Sequence, residues 1–128
     1  MDLEKYLNKE YKFNGRGKEG YDCLGLVFSI LHENNIKIPI SDGENIQENW
    51  MVENPMRLVK HFKNYGTEIK IGNQQKLDVA IFEINNILRH AAIFIDQYRI
   101  IHIFDDSKAR ISKFSRWKKR LHSIWRVR

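Results

Sequence analysis

Residues 78–104 read DVAIFEINNILRHAAIFIDQYRIIHIF, and the period of their apolar residues decides the fold. Three short runs, DVAIFEI (78–84), HAAIFID (90–96) and YRIIHIF (98–104), are rich in β-branched and aromatic residues and read as strands. A parallel crossover needs a dozen or more residues, so links this short predict antiparallel neighbours. Working outward, TEIKI (67–71), ARISKF (109–114) and SIWRVR (123–128) have the same character. Before residue 67 the period changes. Cys23, Leu24, Leu26, Val27, Ile30 and Leu31 recur at helical spacing behind Asp22 in the N-cap role, and this helix should end near Asn34–Asn35, before the strand-like IKIPI. A short helix is predicted from about Gly43 to Met51, and another opening at Pro55 and running through MRLVKHF. The first dozen residues read as a short amphipathic helix with Leu3, Tyr6 and Leu7 on one side. Helices first and strands later make an α+β protein with a central antiparallel sheet.

At 128 residues, without repeats or a linker rich in Gly, Ser or Pro, the chain is expected to form one domain over 1–128. Apolar residues make up 42% and charged residues 30%, which excludes disorder over most of the length. The single Cys excludes an internal disulfide and a Cys-rich zinc module. The opening MDLEKYLNKEYKF carries charges where a signal peptide needs an apolar run, and no stretch is apolar enough to span a bilayer. Synthesis in the cytoplasm without a signal peptide is the expectation. The net charge of +6 is concentrated at one end, because residues 107–128 hold nine basic side chains and no acidic one. Such a tail is either a solvated face or a surface for an anionic polymer, nucleic acid or a carboxylate-bearing cell-wall glycan.

Cys23 follows FNGRGKEGY (13–21), a loop with three glycines in six positions, and falls in the first turn of the predicted helix. A buried Cys is commonly an inert small hydrophobe. At a helix start, however, the unsatisfied N–H groups and the dipole stabilise a thiolate and can bind a developing oxyanion. A nucleophilic thiol also needs a base, and the base an orienting partner. Of five histidines, His32 lies late in the Cys23 helix and is expected to face solvent, while His61 lies within a polar helix. His122 follows in the basic tail. His90 and His102 lie on adjacent predicted strands. A two-residue turn at Asp96–Gln97 pairs His90 with Ile103 and leaves His102 one residue from facing His90. A bulge or a small register shift would bring the imidazoles together. A Cys–His–His set suits this arrangement, and a metal site from His90, His102 and Asp105 is the rival, without a recognised ligand spacing.

These residues resemble the NlpC-type cysteine peptidases, small papain-like enzymes that cut bacterial cell-wall peptides. Gly20, Asp22, Cys23, Gly25, Leu26 and Val27 match the nucleophile motif of that family, with Tyr11 at the position of its upstream tyrosine. KLDVAIFE resembles the family's Gly-Asp-Leu/Val strand with Leu77 in place of Gly, RHAAIFID resembles the base motif, and IIHIF the motif of the third polar residue. Cys-Leu-Gly-Leu, the Trp117–Arg120 stretch and the final strand SIWRVR resemble a subgroup of cell-wall peptidases encoded with phage tails and gene-transfer agents. Asn14 and Ile103 depart from the pattern, which bears on substrate fit more than on chemistry.

The resemblance implies that Cys23 is the nucleophile, His90 the base and His102 its orienting partner. Tyr11 with the Cys23 N–H would stabilise the oxyanion, and Asp22 is more a helix cap than a catalyst. The implied substrate is the peptidoglycan stem peptide, cut between D-glutamate and the diamino acid, at the cell wall or periplasm after delivery, with phage-tail or tail-like proteins as further partners. No metal or organic cofactor is implied. Two other classes stay open. One is a catalytically silent tail or adaptor domain; the other is a basic nucleic-acid-binding module stacking bases on Phe114, Trp117 and Trp125.

Overall fold

A computed structural model of the chain describes residues 3–10, 22–38, 56–85, 87–103 and 107–127. Two helices, α1 (Cys23–Glu33) and α2 (Arg57–Tyr65), precede six strands, β1 (Gly66–Glu68), β2 (Val79–Ile84), β3 (Ile87–Phe94), β4 (Arg99–His102), β5 (Arg110–Lys113) and β6 (Leu121–Val127). The strands form one sheet in the order β1-β6-β2-β3-β4-β5, with every neighbouring pair antiparallel. The α+β expectation is met. The strand predicted at 67–71 pairs only through Glu68, with one further bond from the Ile69 N–H to the Ile124 carbonyl. The helix predicted for residues 43–51 lies outside the described residues, as does Pro55.

The runs in β2 and β3 are almost continuously apolar because both faces of the sheet are covered. Val79, Ile81, Ala91, Ile93 and Ile101 face a cluster completed by Leu26, Val27, Ile30 and Leu31 of α1, by Val59 and Phe62 of α2, and by Tyr6. Ala80, Phe82, Ala92, Phe94, Ile100 and Ile124 form the opposite face with Phe114, covered further by Trp117 and Leu121. Gly66 is required where it is, since a Cβ there would stand 2.7 Å from the Arg126 carbonyl oxygen on β6.

Residues 4–8 form turns rather than the predicted helix. The Leu7 N–H reaches the Leu3 carbonyl, but Asn8 takes φ 67° and ends the turn. Of the predicted apolar side Tyr6 is nevertheless buried and Leu3 and Leu7 are half-buried, with Tyr6 donating to Glu33 and Lys5 ion-paired to the same carboxylate. The hairpin between β3 and β4 also differs from expectation. Asp96 Oδ1 accepts from the N–H groups of Tyr98 and Arg99 at 2.8 and 2.9 Å, an Asx turn that lengthens the loop to Asp96, Gln97 and Tyr98. Ile93 therefore pairs with Ile101 and Phe94 with Ile100, one residue away from the register of a two-residue turn. Because side chains alternate, that single residue decides which face His102 occupies.

Candidate active site

His90 and His102 are brought together on the Phe82 face of the sheet. The β3–β4 register, carried one pair further, sets His102 across from Ala92 and so diagonal to His90, within reach of a ring. Their nitrogens, His90 Nε2 and His102 Nδ1, stand 2.8 Å apart, with the rings near-perpendicular at 68°. Both are buried, at 2% and 0% exposure. A bulge in β3 opposite Phe82 and Glu83 interrupts the ladder just before His90.

Two residues that sequence reasoning did not assign to the site complete the surroundings of the pair. Ser112 on β5 places its Oγ 2.7 Å from His102 Nε2. Trp117, at the junction of two short 3₁₀ turns, packs its ring 5.5 Å from His90, 5.0 Å from His102 and 5.7 Å from Phe82. The signal for Ser112 was the alternation in ARISKF, which sets Arg110 and Ser112 on one face, but only the β4–β5 register shows that this face carries His102. Burial pushes His102 down from its ordinary value of 6.5 to about 4, with the Arg110 guanidinium adding to the effect, so the ring is neutral at pH 7.

Cys23 opens α1 and is half-buried against the cluster that includes Ala91, the neighbour of His90. The helix begins there because Asp22 is extended (φ −87°, ψ −179°) and its Oδ1 accepts from the Gly25 N–H at 2.6 Å. Asp22 is thus the cap that the sequence predicts. Tyr11 and the glycine loop lie outside the described residues.

The chain matches the NlpC/P60 family over residues 8–126. It belongs to that family. Its fold is similar to a Staphylococcus aureus protein of the NLP/P60 family described as similar to a lipoprotein, with a TM-score of 0.69 at 21% identity, covering 98% of this chain and 38% of that one. A Bacillus cereus NlpC/P60 family protein gives a TM-score of 0.71 at 19% identity, covering 95% and 36%. The NlpC/p60 domain of the peptidoglycan hydrolase SagA gives 0.64 at 17%, covering 96% of this chain and 91% of that domain. The chain therefore spans less than two-fifths of the first two solved proteins. No curated protein matches it.

Within this NlpC/P60 domain, Leu77, which departs from the family's Gly, adopts φ 75°, a conformation that favours glycine. The Asp78 that follows is completely buried and serves structure. Arg126 donates to it through Nε at 3.0 Å and Nη2 at 2.8 Å, and Gln75 through its N–H at 2.8 Å. One of the nine basic side chains of the tail is therefore a core-edge ion pair. Arg110, Lys113, Arg116 and Arg120 instead line an open groove of about 680 Å³ floored by Ser112, Trp117, Ile84 and Ile111. Arg120 stands over the Trp117 ring at 5.4 Å.

The other histidines take structural places. His61 is buried against the rings of Phe28, Phe62 and Tyr65, and His122 is exposed beside Ser123. His32 corrects the expectation of a solvent-facing ring: it is half-buried, with Nε2 3.0 Å from the Ile38 carbonyl oxygen. Phe114 and Trp125 are each 95% buried, so the tail offers no row of exposed rings for stacking bases. Among the described residues no three His, Cys, Asp or Glu side chains are grouped to hold a metal ion, and Asp105 lies outside them.

Proposed function

We propose that this domain is a cysteine peptidase that hydrolyses the stem peptide of bacterial peptidoglycan, between D-glutamate and the diamino acid. The observation that carries the proposal is the buried His90–His102 pair, 2.8 Å apart, in a domain of the NlpC/P60 family whose lone Cys opens a capped helix. Members of this family are generally peptidoglycan hydrolases, and the SagA domain with the same fold belongs to one by name.

In this reading Cys23 gives its proton to His90, and the thiolate attacks the carbonyl carbon of the scissile bond. A C–S bond forms, and the carbonyl electron pair moves to oxygen, held by the Cys23 N–H and Tyr11. The tetrahedral intermediate collapses, the C–N bond breaks, and the leaving amine takes the proton from His90. Water then attacks the thioester while His90 accepts its proton. The acid is released and the proton returns to the thiolate. With Nε2 of His90 directed at His102, Nδ1 is the nitrogen that exchanges protons, and His102 orients the ring. The cationic groove beside Trp117 attracts the carboxylates of the wall polymer. Delivery within a phage-tail or tail-like assembly to the cell wall accords with the sequence pattern of that subgroup.

Digestion of purified peptidoglycan, with the fragments identified by mass, tests the proposal. The wild type should release fragments ending at D-glutamate and Cys23→Ala none. If the folded wild type releases no fragment, the reading as a silent tail or adaptor domain replaces it.

A further inference from the structure

We propose that Ser112 is a positioning residue that locks His102 in the tautomer protonated at Nε2, so that His102 Nδ1 presents a lone pair to His90. The relay is geometric. His102 lies between two partners, with Nδ1 2.8 Å from His90 Nε2 and Nε2 2.7 Å from Ser112 Oγ. A neutral imidazole has one N–H and one lone pair, so the two contacts are not independent. If His102 donates to Ser112, it must accept from His90. If instead the Ser112 hydroxyl donates, His102 turns its own N–H toward His90.

Only the first arrangement is compatible with a protonated His90. An imidazolium carries hydrogens on both nitrogens, so its Nε2–H needs an acceptor in a place where water cannot substitute. His90 and His102 are 2% and 0% exposed, Trp117 covers both rings and Phe82 packs on that of His90. His102 supplies that acceptor only while its own proton sits on Nε2 and has somewhere to go. Ser112 is the hydroxyl at that point, half-buried on β5. A second proton on His102 would remove the acceptor altogether, and the burial that holds this ring neutral guards against it. The chain of hydrogen bonds thus ends on a hydroxyl that accepts from His102 Nε2, and His102 Nδ1 remains an acceptor through each proton move at His90.

The catalytic consequence rests on the peptidase reading, whereas the tautomer does not, and the test separates the two. The full chain, labelled with ¹⁵N-histidine, is compared as wild type, Ser112→Ala and Ser112→Thr by ¹⁵N–¹H correlation of the imidazole nitrogens at neutral pH. The wild type and Ser112→Thr should show His102 with its proton on Nε2. In Ser112→Ala that N–H is left buried without its acceptor, and the Nδ1–H form should appear. Peptide cleavage should fall roughly tenfold to a hundredfold in Ser112→Ala, the range set by an unpaired buried donor, and recover in Ser112→Thr. An Nδ1–H tautomer in the wild type, an unchanged tautomer in Ser112→Ala, or failure of Ser112→Thr to restore it would overturn the proposal. If the wild type cleaves no peptide at all, the peptidase reading fails and the nitrogen resonances alone decide the tautomer.

Discussion

Replacing His102 by Asn and by Ala tests the orienting role and the environment of the ring together. The bond it makes at 2.8 Å is to His90, which is charged in the proposed mechanism, and a hydrogen bond to a charged group contributes about 1.5–3 kcal/mol. Losing it in His102→Ala should lower the cleavage rate by roughly tenfold to a hundredfold. Asn keeps an acceptor oxygen at the place of Nδ1 for His90, so His102→Asn should stay within roughly tenfold of wild type. His90→Ala removes the proposed base and should cost on the order of a thousandfold.

A second readout is independent of turnover. His102 is pushed from 6.5 to about 4 on folding, so the unfolded chain binds more protons between these values. The stability that this group contributes is present above about pH 6.5 and is lost as pH falls toward 4. Linkage gives a loss of about 2 kcal/mol between pH 7 and pH 5. Urea unfolding at both pH values should therefore show a drop in His102→Asn smaller than the wild-type drop by about that amount. Equal pH dependence in the two proteins, together with wild-type turnover in His102→Ala, would refute both the burial and the orienting role.

Three further outcomes are expected. Cys23 should react with iodoacetamide at pH 6 much faster than a free thiol, and slowly in His90→Ala; equal, slow labelling in both would separate the thiol from the imidazole pair. Changing Lys113, Arg116 and Arg120 of the groove to Gln should weaken digestion of intact sacculi at low salt and spare a small soluble peptide, whereas an equal loss on both substrates would make the groove structural. Arg126→Ala should destabilise the domain by about 3 kcal/mol in urea unfolding at pH 7, because it leaves the completely buried Asp78 carboxylate without its cation; a loss below about 1 kcal/mol would place that pair among ordinary surface bridges.

The amino-acid sequence by itself determined the elements that local rules govern. The period-two runs became strands because alternating side chains fill two opposed clusters. α1 begins at Cys23 because Asp22 caps it, and it ends at Asn34 and the left-handed Asn35. Family membership was legible from three motifs in order, since each depends on residue type and spacing alone. What the sequence left open depended on relations between distant segments. The Asx turn at Asp96 adds one residue to a loop, and with period-two alternation that residue moves His102 onto the face of His90. Ser112 lies ten residues from His102, and only the β4–β5 register makes them partners. Composition describes the basic tail as one block, yet the sheet divides it, pairing Arg126 with a buried carboxylate and turning Arg110, Lys113, Arg116 and Arg120 into one groove. Charge is a property of residues, whereas its partner and its solvent are set by packing, and so tertiary structure alone decided which of these cations hold the fold and which line the open groove.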